Sequence, residues 1–500
     1  MSSESNTSTV TENTLVNQGV LSSLTPEEKK KCISLLIATA IMLGFHYGPA
    51  IPGLEPNGQS ILGIFFWFMI VLITNSLHGF VVGFASPVLI IMLTDLKIGE
   101  AFNAFTGDAF FLAIGAFTFA AIMTATPLGK RITVWITDLF RSVRVPRIFF
   151  GLSAADFAIS GFLPTVAETG LMLPLAKGFS SLTKDKEHLP EVQRMNKGLF
   201  LLVVGLMPLF TSLLILTAHF PNILWAGYMG EIGYTITWTD WLVLNLPLWG
   251  LMPVVFIYVV SYYKLWKVEI PGAADEMPRL KKELGKITWP EKWALISLGI
   301  CLFLWVTEKY LHNIGTGMVA LILLVLIFLP FSKIKFKEIS PHIMWDVWIL
   351  LGGAISLGTA LFRSGAVDWM VRLILNPVEH IIIGLPAILI LIVVVFVIQI
   401  PRAGIVSAAA MGAMFIPLTM SLGPELGFNV LPFSLIVTNC LSYAFLLPMS
   451  ITAFFIAWGA SGMSMGEVIK FGVPLTIICN VYTIVTMAIW LPLIGYPLMM

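Results

Sequence analysis

The chain has 500 residues, of which 57% are hydrophobic and 11% charged, with a formal net charge of +1. A soluble domain carries about 25% charged residues, so this composition excludes an ordinary soluble fold. The near-zero net charge removes any electrostatic case for a nucleic-acid partner.

Residues 1–28 are polar and rich in Ser and Thr, and lack the apolar core and small-residue cleavage site of a signal peptide. They are expected to form a disordered cytoplasmic tail ahead of Lys29, Lys30 and Lys31. A helix needs about 20 apolar residues to cross the hydrocarbon. In chain order, spans are expected at roughly 33–50, 60–77, 79–96, 107–126, 198–219, 240–264, 289–308, 315–332, 345–362, 430–459 and 470–496. The expected fold is an all-α polytopic membrane protein with about eleven transmembrane helices. Two further apolar blocks, 148–178 and 382–422, are too long for one span and are broken near the middle.

Lys and Arg collect on the cytoplasmic side of membrane proteins. The basic clusters lie at 29–31, 130–147, 177–197, 264–292 and 333–337, while 51–59 and 220–239 have none. With the N-terminus inside, the spans place every cluster inside. Block 148–178 then has basic flanks on both sides and must be a re-entrant hairpin from the inner face. Block 382–422 becomes one from the outer face. Two hairpins open to opposite faces are the pattern of an inverted repeat, a transporter plan. The expected division is 29–265 with the first repeat, a cytoplasmic linker at 266–288, and 289–500 with the second repeat. "GDAFFLAIGAFTFAAIM" (107–123) matches "WDVWILLGGAISLGTAL" (345–361), with Asp108 over Asp346 and Gly115 over Gly353. "LMLPLA" (171–176) matches "MFIPLT" (414–419), and "TAHFPNILWAG" (217–227) matches "MSITAFFIAWG" (449–459).

Hairpin tips and unwound helices supply free backbone N–H and C=O groups near the midplane, where anions and cations bind. The site is therefore expected where the two tips meet breaks near 217–223 and 448–454. A charge inside a membrane is a functional candidate by default, and Glu168 and Arg402 lie in these blocks. Asp156 lies on the ascending arm of the first hairpin. Asp108 and Asp346 start matched helices, where an acid favours the N-terminus. The stretch 130–143 is basic and amphipathic and is expected on the inner membrane surface. The four cysteines show no metal-like or disulfide-like spacing. A metal-spaced His/Glu cluster, a nucleophile elbow and a phosphate loop are all missing from the sequence, which argues against an enzyme and against ATP-driven transport.

Three stretches carry a family resemblance: "FFLAIGAFTFAAIMTATPLGKRI" (110–132), "ETGLMLPLAKG" (168–178) and "FLLPMSITAFFIAWGASGMSMGEVIKFGVPL" (445–475). The chain resembles the divalent anion:sodium symporter family over about residues 60–497. That family carries dicarboxylates, citrate and sulfate. The resemblance implies a homodimer, with a scaffold domain and a transport domain that moves like an elevator. In the family each hairpin tip carries Ser-Asn-Thr ten residues before the hairpin proline, and each broken helix carries Thr-Pro-Pro-Asn. These motifs hold the substrate carboxylates and two sodium ions.

At the matching positions this chain has Pro164, Thr165, Val166 and Ser407, Ala408, Ala409. The broken helices have His219, Phe220, Pro221, Asn222 and Ile451, Thr452, Ala453, Phe454. The resemblance thus implies substrate contacts at Thr165, Val166, Thr169, His219, Asn222, Ser407, Ala408, Ala409 and Thr452, and the charges Glu168 and Arg402, which fall close to these positions, are expected to contact substrate as well. It implies ion positions at Ser160, Thr165, Ala218, Ala403, Ala408 and Ser450. Arg402 is expected to supply the positive charge that sodium would give the second site. Glu168 is expected either to carry a proton or to pair with Arg402, and the bland alternative is a structural Glu–Arg pair. The expected function is secondary transport of a small organic anion (a carboxylate, dicarboxylate or sulfonate). Na+ or H+, or a counter-anion, is the expected coupling partner, with no other cofactor. An anion channel or a non-transporting receptor on the same fold is the alternative. The expected location is the plasma membrane.

Overall fold

The computed structural model describes residues 24–376, 384–405 and 407–500. Most of the expected tail, residues 382–383 of the second hairpin block, and Val406 near its tip lie outside the described residues. Among those described, every regular element is helical.

The first helix, Pro26–Tyr47, starts inside the expected tail because Thr25 and Glu28 form a capping box. Among the described residues, six helices are long and apolar enough to cross a membrane: Pro56–Thr74, Asp108–Ala125, Pro190–Leu213, Trp289–Thr307, Trp345–Arg363 and Met465–Leu493. Several other expected spans are shorter or interrupted. The 240–264 span bends by 59° between Trp238–Leu244 and Leu246–Tyr262, where Pro247 sits one residue beyond the break. The 430–459 span is two helices, Val430–Cys440 and Thr452–Ser461.

The glycines at Gly115 and Gly353, aligned in sequence, explain two close helix pairs. Helix Asp108–Ala125 packs on Thr316–Ile327, and Trp345–Arg363 packs on Gly79–Leu93. A Cβ on Gly115 would lie 2.4 Å from the Ala320 carbonyl oxygen, and one on Gly353 would lie 2.1 Å from that of Gly83. Small residues let backbones approach this closely where no hydrophobic drive operates between helices. Each half therefore lends a helix to the other at the same glycine position.

Segments that charge patterning assigns to one face meet one another. Lys197 bonds Glu467 at 2.5 Å, Lys281 reaches Asp138 at 3.5 Å, and Arg144 lies 3.6 Å from Glu269. Arg131 is buried against Glu291 at 2.9 Å and donates to the Gly285 and Leu284 carbonyls. Helix Leu128–Leu139 is thus fastened to the 273–291 region through Arg131, and that side chain does not face the membrane surface expected of it. At the other set of loops, Asp240 bonds Lys309 at 2.7 Å and Glu425 lies 3.3 Å from Arg372.

Candidate functional site

Two helical hairpins and two broken helices converge on one cavity of about 520 Å³. The first hairpin is Val145–Ser160 and Thr165–Ser181. Its turn is closed by Phe162 and Leu163 N–H groups on the Ile159 carbonyl, and Pro164 then starts the second arm. The second hairpin is Ala387–Arg402 and Ala408–Glu425. Ser407 caps its second arm by accepting from the Ala410 N–H at 3.2 Å.

The two breaks share one backbone design. In the first, the 3-10 turn Leu216–Ala218 is followed by His219 at φ −131°, ψ 129°, and then by helix Phe220–Glu231. In the second, Pro448–Ser450 is followed by Ile451 at φ −138°, ψ 126°, and then by Thr452–Ser461. A hydroxyl ties each turn to its hairpin. Thr217 donates to the Gly161 carbonyl at 3.0 Å, and Ser450 donates to that of Ala403 at 2.8 Å.

Four helices therefore begin at the cavity wall, at Thr165, Ala408, Phe220 and Thr452. The first N–H groups of a helix have no partner within it, and the helix dipole adds partial positive charge there. Four such ends around one cavity make a site for anions.

Arg402 adds a full charge. It is buried at 2% exposure and lines the cavity. Its Nε donates to the Leu441 carbonyl and its Nη1 to that of Ser450, both at 2.8 Å; Nη1 also donates to the Ile405 carbonyl. No carboxylate pairs with it among the described residues, and Nη2 makes no hydrogen bond there. A buried guanidinium without a counter-ion is complementary to an incoming carboxylate or oxyanion.

The remaining candidates divide into two groups. Thr165, Val166, Ala218, His219, Ser407, Ala408, Ala409 and Thr452 line the cavity. His219 Nδ1 lies 3.2 Å from Thr165 Oγ1, which lies 2.9 Å from Ser212 Oγ, while His219 Nε2 is buried without a partner. Ser160, Glu168, Thr169, Asn222, Ala403 and Ser450 do not line it. Asn222 donates its amide hydrogens to the Ser212, Leu213 and Ile215 carbonyls, so it ties off the broken end rather than facing a ligand. Thr169 donates to its own helix at Thr165, and Ser160 to Phe157.

Glu168 is fully buried away from Arg402. Its Oε1 accepts from Thr211 at 3.2 Å, and its neighbour is Asp156. The direct Glu168–Arg402 pair is replaced by two separate arrangements. Sequence reasoning missed Asn75, Ser442 and Met344 in the cavity wall. Ser442 had a signal, since it lies in the "CLSYAFLLPM" stretch that unwinds. Asn75 and Met344 come from helix ends distant in sequence and had none.

A model of the sodium:sulfate symporter transmembrane region matches residues 29–496. The chain belongs to the sodium:sulfate symporter family. It is an integral membrane transporter of the sodium-coupled anion class, and not an enzyme. A membrane protein of Cupriavidus necator is 27% identical over 469 residues, covering 89% of each chain. The sodium-dependent dicarboxylate transporter SdcS of Staphylococcus saprophyticus is 25% identical, covering 84% of this chain and 83% of its own. The solved YdaH transporter of Alcanivorax borkumensis has a TM-score of 0.51 at 12% identity, covering 94% of this chain and 99% of that one. That likeness concerns the fold alone.

Proposed function

We propose that this protein is a plasma-membrane secondary carrier of a small dicarboxylate or related organic dianion, coupled to sodium. One observation carries the reading: a single cavity gathers four helix N-termini and a buried Arg402 that has no carboxylate partner among the described residues. A site that positive is stable only with an anion in it or close to it. The relatives named as sodium-dependent dicarboxylate transporters point to the same substrate class.

The substrate carboxylate binds the Nη2 side of Arg402 and the Thr452 and Ala408 helix starts. Its other end meets Thr165, His219 and the Thr165 helix start. The second ion position of the family, at Ala403, Ala408 and Ser450, is served by the Arg402 guanidinium, which already takes the Ser450 and Ile405 carbonyls that a cation would use. Sodium then binds near Ser160, Thr165 and Ala218 in the first half. The two hairpins are re-entrant from opposite faces and form an inverted repeat. With the broken helices, they move as an elevator against the remaining helices of a homodimer.

The test is uptake into proteoliposomes of labelled succinate, citrate, sulfate, a sulfonate and a monocarboxylate. Each is driven by a sodium gradient, a proton gradient or internal unlabelled substrate. Sodium-driven, saturable uptake of a dicarboxylate with counterflow is the expected result. Conductance without saturable counterflow would replace the carrier with a channel.

A further inference from the structure

The first hairpin contains a group that anion binding leaves unused. Asp156 on its ascending arm and Glu168 on its descending arm are both at 0% exposure and lie side by side as neighbours. As two ionised carboxylates they have no way to hydrogen-bond each other, because neither carries a donor. In that state Asp156 Oδ1 and Oδ2 and Glu168 Oε2 are all buried without a partner. Thr211 supplies a donor to Glu168 Oε1 only.

Among the described residues no fixed cation bonds either carboxyl, whose one partner is the Thr211 hydroxyl. Of the elements packed against the two arms, Leu128–Leu139 brings Lys130, Arg131 and Asp138, with Arg131 engaged by Glu291. Ala273–Leu284 brings Asp275, Glu276, Arg279, Lys281, Lys282 and Glu283. Its Glu276 is bonded to Arg279 near the far end of the hairpin, beside Gly178. Asp108–Ala125 brings Asp108, bonded to the Gly317 N–H. Phe200–Leu206, Met207–Leu213 and Thr452–Ser461 bring no titratable side chain.

We propose that Asp156 and Glu168 together form a proton-binding site, distinct from the anion cavity, that loads one proton with each transport cycle. A single proton makes one carboxyl the donor to the other and leaves one negative charge instead of two in the hairpin. Buried like-charge carboxylates share a proton for this reason. The site reaches the cavity through helix Met207–Leu213. Thr211 holds Glu168, and the next residue, Ser212, holds Thr165, which contacts His219 on the cavity wall. Substrate arriving at Thr165 and His219 thus presses on the element that also holds the pair. The inference rests on the carrier reading for its transport consequence, while the shared proton itself does not.

Two measurements keep these apart. Infrared spectroscopy of the purified full-length protein at neutral pH should show a buried protonated carboxyl band that shifts in D2O. The band should disappear in Glu168→Gln and in Asp156→Asn. In proteoliposomes without a sodium gradient, an inward proton gradient should stimulate uptake, and both variants should lose that stimulation. Glu168→Asp should partly restore it. Absence of the band in the wild type overturns the proposal, in particular if added sodium alone raises thermal stability and Glu168→Gln abolishes that rise. A band present in the wild type, with uptake indifferent to the proton gradient, overturns the coupling. Counterflow would still report whether the protein is a carrier. If Glu168→Gln fails to fold, Asp156→Asn carries both readouts, and an unchanged proton-gradient response in it overturns the proposal.

Discussion

The two hairpins share a backbone and exchange their charges. Counting from the tips, Asp156 corresponds to Gln399, Glu168 to Met411, and Ile159 to Arg402. The first hairpin buries two acids that no cation bonds among the described residues. The second buries a guanidinium that no acid pairs with among the described residues. Gln399 shows what the acid position does when neutral. Its amide donates to the Cys440 carbonyl at 2.6 Å and to Asn480 at 3.2 Å, a structural tie. The two hairpins therefore offer matched backbones with different buried charges, and on the readings proposed above the second supplies the cation for the anion while the first takes up a proton.

The sharpest way to break this comparison is to remove the charge from the second cradle. Arg402→Ala should cost about 2–5 kcal/mol of anion affinity, ~30-fold or more, because it deletes the cation and strips the Leu441, Ile405 and Ser450 carbonyls of their donor. Equilibrium binding of labelled succinate measures it. Unchanged affinity would place the anion elsewhere. Arg402→Lys keeps the charge but lacks the planar fork that holds several carbonyls at once. A roughly tenfold loss, about 1.4 kcal/mol, is expected in the same assay, and full retention would mean that only the charge matters.

The shared backbone can be tested at its matched glycine. Gly353→Ala puts a Cβ 2.1 Å from the Gly83 carbonyl oxygen. The helix pair must separate, at about 1–3 kcal/mol, as for other overpacked contacts. A lowered melting temperature in detergent is expected. No change would mean that the two helices are not held at this crossing in solution. The smallest effect belongs to the first tip. Thr165→Val removes the hydroxyl between Ser212 and His219 and should weaken substrate binding by about 0.5–1.5 kcal/mol. The readout is KM for uptake, with kcat changed less.

Much of the architecture was legible before any coordinates. Apolar blocks of the wrong length for one span, and basic clusters on a consistent set of loops, marked 148–178 and 382–422 as unusual. Both do contain helix–turn–helix pairs, within the described residues. The breaks near Pro221 and Pro448 were also legible, because a helix rarely runs through residues that lack an N–H or restrict their predecessor. Span boundaries were less so. Hydropathy sums over a window and does not register the 59° bend at 244–246 or the unwinding at 441–447.

Side-chain assignment followed the same divide. The sequence by itself determined that this chain is a membrane protein, that several stretches of it recur in the same order, and that Glu168 and Arg402 sit in apolar surroundings. Those are properties of composition and local order along the chain. Only the tertiary structure decided that Arg402 is clamped by carbonyls from three places and faces a cavity, while Glu168 turns away from it toward Asp156. Glu168 lies three residues past Thr165, which is about one turn of helix at 3.6 residues per turn. Its neighbours on that face come from the other hairpin arm and from the helix at 207–213. Spacing from a motif places a residue near a site. The direction in which it points is set by helix phase and by the elements packed around it.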